Sequence, residues 1–444
     1  MSVIKPQIPK GFRDFLPAQN IIRQGIIDVV RTTFETFGFE PLGTPCIEYA
    51  ETLEGKYGEE GERLIYKFED RGGRKVALRY DLTIPLCRVI SMYPEIVKPF
   101  KCYQIAPVWR ADKPQKGRYR EFYQCDIDII GTTSDLADAE LISIMYRVLT
   151  SLGIDGFTIN INNRKILNAI AVSAGFGEGG VTTFLRSLDK LSKVGKEAVS
   201  GELQEKGFPA HKIERAFAMI EEAAGHKDNH KVLLDKIRAR IKGDEEGEQG
   251  VSELMVIREA LESQEIPDTC YCFDLSLARG LDYYTGPVFE TRVKTPCICS
   301  KTGGGRYDNL IGLFCKTPIP ATGTSFGLER LITVLEEIAG KDARQSTTQV
   351  LVALFDKSLL SATLGIAHML READINTELY FEADKLKKQL TYASNKTIPM
   401  VVILGSDEFN NGTVALRNMQ LGQQEIIAQK DLVQKIKDSL GIFA

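Results

Sequence analysis

At 444 residues, with 43% hydrophobic and 26% charged residues, the chain has an ordinary globular composition and is long enough for two or three domains with their own cores. That composition excludes a disordered or fibrous chain. Lys+Arg 56 against Asp+Glu 60 gives a formal charge of −4, which excludes a globally basic nucleic-acid binder but leaves room for a local basic surface. No apolar run approaches bilayer-spanning length, so no membrane association is expected. The N-terminus MSVIKPQIPKGFRDFLP also lacks the apolar stretch of a signal peptide. Nine scattered cysteines then read as reduced thiols, and a cytoplasmic location is expected.

In chain order, Ile22, Ile26, Val29, Val30 and Phe34 predict an amphipathic helix over 20–37, stopped at Gly38. FEPLGTPCIEY reads as extended, and LIYKFEDRGGRKVALRYDLT as a hairpin turning at Arg71-Gly72-Gly73. KPFKCYQIAPVWRADKPQKGRYREFYQCDIDIIG is strand, polar basic loop (Ala111 to Arg120), strand, and a helix follows at about 134–152. Residues 164–265 are patterned as charge-rich helices, with GDEEGEQG at 243–250 as a loose acidic link, and read as an inserted helical domain. Strand signals return in TCYCFDLSLARGLDYYTGPVFETRV, followed by Gly303-Gly304-Gly305 and a helix starting near Gly327. After a polar linker at 341–348, continuous apolar strands alternate with helices over 349–444, predicting an α/β domain with a mostly parallel or mixed sheet.

There is no GxxxxGK[ST] and no GxGxxG. The four histidines, His211, His226, His230 and His368, avoid the strand-rich regions, so a histidine-based hydrolase is disfavoured there. His226 and His230 have one-face helical spacing but no third ligand, so they read as solvated surface. Cys270/Cys272 and Cys297/Cys299 fit either packing or a zinc clasp, and packing is the commoner use. Arg110, Arg118 and Arg330 suit phosphate oxygens, but in isolation a surface ion-pair network or a solvated side chain is the commoner explanation. Asp81, Gln124 and Asp128 are polar exceptions in apolar strands, either ligand readers or members of an exposed face. Tyr283-Tyr284 fit packing or a pocket wall, and the glycine cluster fits a turn or a close backbone approach to a ligand.

Read together, these segments resemble one family. GFEPLGTPCI with Pro45, WRAD through GRYREF, and GTSFGLERL are similar to the three signatures of class II aminoacyl-tRNA synthetases. LARGLDYYTGPVFE and GGGRYDNLIGLF resemble the two peptides peculiar to histidyl-tRNA synthetases, and RYDLT and QCDID fit the same group.

The resemblance implies an α+β catalytic domain, an antiparallel sheet flanked by helices, over 1–163 and 266–340. It also implies an inserted helical domain at 164–265 gripping the tRNA acceptor stem, and an anticodon-binding domain at 349–444. It implies an ATP-dependent, AMP-forming ligase of protein biosynthesis that activates L-histidine and passes it to the tRNA for histidine, with Mg²⁺ on the ATP phosphates and a homodimer built on the first signature. Arg110 and Arg279 would be catalytic, lying across the α-phosphate from one another. Asp81, Thr83, Arg110, Gln124, Asp128, Arg279, Tyr283 and Tyr284 would surround histidine. Arg110, Asp112, Arg118, Phe122 and Arg330 would hold ATP, and no protein-bound metal is implied. Asp112 departs from the glutamate common at its position, shortening that carboxylate's reach. The alternatives are a regulatory paralogue of the kind serving ATP phosphoribosyltransferase and a tRNA-sensing module.

Overall fold

The two apolar runs flanking the basic loop form the longest strands among the described residues, ten residues each. The computed structural model describes residues 4–115, 117–224, 229–278, 283–293, 302–339 and 346–441. The chain divides into two units, residues 1–13 with 26–338 and residues 14–25 with 339–444.

In the first unit the strands, in chain order, are β1 (Glu40–Pro41), β2 (Ile47–Tyr49), β3 (Lys67–Glu69), β4 (Lys75–Leu78), β5 (Phe100–Trp109), β6 (Glu121–Ile130), β7 (Phe157–Asn163), β8 (Tyr271–Phe273), β9 (Pro287–Val293), β10 (Thr302–Arg306) and β11 (Ala321–Gly327). Eight of them form one sheet in the order β1-β5-β6-β11-β10-β9-β7-β8, antiparallel throughout its middle, with a parallel strand at each edge. A small sheet, β2-β4-β3, stands beside it. The β3–β4 turn is the expected hairpin: Asp70 Oδ1 accepts the Gly72 and Arg74 N–H groups, and Gly73 takes φ +74°.

The glycine run at 303–305 is strand β10, not a turn. A Cβ at Gly304 would lie 2.0 Å from the Gly323 carbonyl oxygen, so glycine is what lets β10 and β11 approach. The same strand ends in Arg306, whose guanidinium is buried against Asp138 on the helix Asp135–Ser151 and also donates to the carbonyls of Thr132 and Ser134. That fixes the helix across the sheet. The helix Thr83–Met92 lays Ile84, Leu86, Cys87 and Ile90 into the core with Cys102, Ile130, Tyr307 and Ile311. Each such fully buried aliphatic side chain contributes about 1.5–3 kcal/mol.

Among the described residues, six α-helices occupy the stretch between β7 and β8, from Arg164–Ser173 to Glu245–Ser263. The acidic segment read as a link is instead the start of the last of these helices. Asp244 caps it by accepting the Gly247 N–H at 2.8 Å. Its glycines serve close packing: a Cβ at Gly247 would meet that of Ala169 at 2.5 Å. His230, read as solvated, is buried, its ring tilted against Tyr271 at 4.6 Å and edge-on to Phe273 at 5.3 Å. His226 lies outside the described residues, as do Cys297 and Cys299. Cys272 donates to Asn160 Oδ1.

In the second unit β12 (Val350–Ala353), β13 (Thr377–Leu379), β14 (Met400–Ile403), β15 (Thr413–Asn418) and β16 (Gln424–Ala428) form a mixed sheet in the order β13-β12-β14-β15-β16. The first three strands are mutually parallel, linked through helices, and the last two add as an antiparallel hairpin.

Candidate active site

The hairpin β5–β6 builds one wall of the site. Side chains on β6 alternate, so Phe122, Gln124, Asp126 and Asp128 share one face while Cys125 and Ile127 are buried on the other. Gln124, Asp126 and Asp128 are each more than nine-tenths buried, so this is not a solvated strand face. Asp128 stands opposite Gly323 of β11, where a Cβ would fall 1.9 Å from its Oδ1. Glycine there makes room for the carboxyl. Tyr307 donates its hydroxyl to the same oxygen.

Arg110 follows β5 immediately. Its N–H donates to the Arg120 carbonyl at 2.9 Å, and its Nε to the Tyr80 carbonyl at 3.0 Å. The guanidinium carbon lies 4.3 Å from the Tyr80 ring centre and 5.1 Å from that of Phe122. Asp81 sits at the start of the Thr83 helix, accepting the Ile84 N–H at 3.0 Å and the Tyr57 hydroxyl at 3.1 Å. Thr83, half-buried, is the first residue of that helix. Tyr57 in turn stacks on Tyr80 at 4.4 Å.

Burial governs the charges. It pushes Asp128 up to about 7, against the Tyr307 hydrogen bond and with added repulsion from Asp81. It also raises Asp81, opposed by the Ile84 N–H and by Arg110, and it raises Asp126 strongly, reinforced by Asp128. The tyrosine pair divides. Burial, then Tyr284 and Asp81, hold the Tyr283 hydroxyl well above its ordinary value, and the Tyr283 ring meets Tyr307 edge-on at 6.1 Å. Tyr284 lies over Gly305, where a Cβ would come within 3.0 Å of its ring.

The loop between β5 and β6 carries Asp112 and Arg118, with Arg118 Nη1 3.8 Å from Asp112 Oδ1 and the Arg118 side chain about half exposed. Arg120 ties this loop to the N-terminal segment through the carbonyls of Asp112 and Lys10, each at 3.2 Å. Gly11, at φ +91°, is held so close that a Cβ would strike Arg120. Arg330 is the third residue of the helix Leu328–Ala339 that leaves β11. Its neighbour Glu329, missed by sequence reasoning, is buried, accepts the Tyr123 N–H at 3.1 Å and faces Arg13 Nη2 at 3.7 Å. Asp126 and Tyr57 were missed too, although the alternation through Phe122, Gln124 and Asp128 passes over Asp126. Arg279 lies outside the described residues. Among the described residues no group of three or more His, Cys, Asp or Glu could hold a metal ion.

Asp81, Arg110, Phe122, Gln124, Asp128 and Tyr283 are thus brought together. The buried carboxyls form an acidic cluster chemically suited to a cationic group, and the Arg110 guanidinium beside the Tyr80 ring is suited to an anion. A zwitterionic amino acid and a phosphate ester need those two features side by side.

The histidyl-tRNA synthetase family profile matches residues 11–331, and an anticodon-binding domain profile matches 349–439. The chain belongs to the histidyl-tRNA synthetase family. It is 42% identical to the histidine–tRNA ligase of Rhodopirellula baltica, with 96% of each chain covered. To that of Cytophaga hutchinsonii it is 40% identical, over 97% of this chain and 99% of the other. The crystal structure of histidyl-tRNA synthetase from Nostoc sp. PCC 7120 superposes with a TM-score of 0.89 at 31% identity, covering 98% of this chain and all of that one. The histidyl-tRNA synthetase architecture here is thus a mixed sheet flanked by helices, an inserted helical region and a C-terminal sheet domain.

Proposed function

We propose that this chain condenses L-histidine with ATP to histidyl-adenylate, releasing pyrophosphate, and then transfers histidine to its tRNA, releasing AMP. The observation that carries the reading is the buried Asp81 and Asp128 beside Arg110, whose charge acts on Asp81 and whose guanidinium lies 4.3 Å from the Tyr80 ring centre.

In this reading Asp81, Thr83 and the Gln124 carbonyl take the ammonium group, and Asp128 and Tyr283, flanked by Tyr284, receive the imidazole. Arg110 bridges the histidine carboxylate and the α-phosphate, and Arg279, outside the described residues, is assigned to the same step. Phe122 stacks on adenine, and Arg118 and Arg330 hold the outer phosphates. Mg²⁺ would ride on the ATP phosphates and add Lewis acidity there, with the half-buried Asp112 as the carboxylate nearest the phosphate arginine Arg118. A site built to hydrogen-bond a polar side chain rejects analogues lacking it by about 10⁴ or more, so no editing step is required.

The helical region at 164–265 is assigned to the acceptor stem, with Lys231, Lys236, Arg240 and Lys242 exposed as phosphate contacts. Residues 349–444 are assigned to the anticodon. The first signature would form a homodimer: β2 is the edge of its sheet and exposes Ile47 and Tyr49. No helix among the described residues is long and apolar enough to cross a membrane, and the reduced cysteines are consistent with a cytoplasmic enzyme. The regulatory and tRNA-sensing readings are not favoured, because the anticodon-domain match persists beside the synthetase match.

The test is amino-acid-dependent ATP–pyrophosphate exchange with all twenty amino acids. Exchange with histidine alone is expected, and exchange with none, from folded protein with Mg²⁺, would overturn the reading. Within the same assay Gly323→Ala should raise the KM for histidine on the order of tenfold or more. Its Cβ would occupy the space of Asp128 Oδ1. An unchanged KM would show that Asp128 is not a histidine contact.

A further inference from the structure

Asp126 has no part in the roles assigned above, yet it sits mid-strand on the substrate face of β6, only 3% exposed. Across the sheet it faces Gln104 on β5 and Ser325 on β11. Gln104 is already committed, accepting from the Thr44 hydroxyl at 3.0 Å and donating to the Leu82 carbonyl at 3.1 Å. Gln124 is not. Its amide nitrogen lies 2.9 Å from Ser325 Oγ and 3.4 and 3.5 Å from the two Asp126 oxygens. Its carbonyl oxygen is buried and has no hydrogen-bond partner among the described residues.

A glutamine amide can face either way, and its two ends do opposite chemistry: one donates, the other accepts. Asp126 and Ser325 both accept from the nitrogen end, Asp126 through its carboxyl oxygens and Ser325 through its Oγ, while the Ser325 hydroxyl proton is turned to Asp126. A buried acceptor without a donor is unfavourable unless a donor arrives. An ammonium group is such a donor, and a flipped amide would repel it.

We infer that Asp126 is a positioning residue which, with Ser325, holds the nitrogen end of Gln124 so that its carbonyl oxygen is presented to the ammonium group of the bound amino acid. This rests on the histidine-activating reading and deepens it. Asp126 acts through its hydrogen bonds to the amide nitrogen, at 3.4 and 3.5 Å. Burial, with Asp128 beside it, raises its proton affinity above that of an ordinary aspartate, and its role toward the amide is to accept.

The test is histidine- and ATP-dependence of pyrophosphate exchange in Asp126→Ala, Asp126→Asn, Gln124→Ala and the double variant Gln124→Ala/Asp126→Ala, beside the unaltered protein. Asp126→Ala should raise the KM for histidine on the order of tenfold, with the KM for ATP within about twofold of the unaltered value. Asp126→Asn, which keeps an acceptor in the same place, should restore most of the loss. In the Gln124→Ala background the Asp126 change should add nothing to the KM for histidine. Three results would each overturn the assignment: asparagine as damaging as alanine, a parallel rise in the KM for ATP, or additive losses in the double variant. Should Asp126→Ala fail to fold, Ser325→Ala takes its place in the cycle with the same expectations. No histidine-dependent exchange in the unaltered protein would remove the underlying reading, and this assignment with it.

Discussion

Arg110→Ala is expected to reduce kcat/KM for histidine-dependent pyrophosphate exchange by roughly 10³-fold or more, the order lost when a cation is removed from a phosphoryl transition state. Adenylate formation joins two anions, the histidine carboxylate and the α-phosphate, and charge builds further at phosphorus as pyrophosphate leaves. A guanidinium between them offsets the repulsion in the ground state and gains in the transition state. Arg110 is suited to this because it does not have to be ordered during the reaction. Its Nε is already fixed to the Tyr80 carbonyl, and its guanidinium carbon already lies 4.3 Å from the Tyr80 ring centre and 5.1 Å from that of Phe122.

Arg110→Lys should recover little, since an ammonium can neither keep the Nε contact nor present a planar fork. A second effect adds to the loss. Arg110 opposes the burial that raises Asp81, so without it Asp81 binds its proton more tightly and accepts the substrate ammonium less well. The KM for histidine should therefore rise together with the fall in kcat, while thermal stability changes little. An Arg110→Ala protein within about tenfold of the unaltered rate would refute the role.

Much of this site was legible in the chain because its residues fall on regular elements. The alternation of β6 puts Gln124 and Asp128 on one face without any structure, and Arg110 had to follow the strand that pairs with it. What the sequence hid is informative in each case. Asp126 escaped notice because a third carboxyl on one buried face looks redundant until the Gln124 amide beside it is seen. Tyr57 lies 24 residues from Asp81, and no local pattern predicts that its hydroxyl reaches that carboxylate.

The glycine run at 303–305 was ambiguous because glycine signals conformational freedom and close approach alike. Only the neighbouring strand, with its carbonyl 2.0 Å from a would-be Cβ, decides between them. His230 and the acidic stretch at 243–250 were misread for the same reason: polar letters were taken for exposure, while their partners, Tyr271 and the helix beginning at Arg164, lie far along the chain. Tertiary packing overrides composition most where aromatic rings or glycines meet a distant element.

Asp128→Asn is expected to stabilise the ligand-free protein at pH 8 and to weaken histidine binding at once. Burial lifts this carboxyl from 3.8 to about 7. Between those values the folded protein keeps a proton that the unfolded chain has released. The folded state then binds more protons, so the free energy of unfolding falls as pH rises from about 4 to about 7 and is level above. A tenfold change in proton affinity is worth about 1.4 kcal/mol, so ionising Asp128 above neutrality costs on the order of 4–5 kcal/mol.

Asparagine fills the same space beside Gly323 and can still accept from Tyr307, but it never ionises. The gain in stability, read from urea unfolding, should be small near pH 4, grow through pH 6 and be largest at pH 8. A difference that stays constant across that range would show that Asp128 does not carry the displaced titration. Histidine should narrow the gap. Its imidazole N–H gives the ionised carboxylate the donor that water no longer supplies, so saturating histidine should raise the Tm of the unaltered protein more than that of the variant. The KM for histidine should rise on the order of 10²-fold in the variant, because an amide offers the ring one acceptor where a carboxylate offers two and a charge. A carboxyl that weakens the empty fold and is compensated only by its ligand is the pattern expected where selection acts on recognition at the expense of stability.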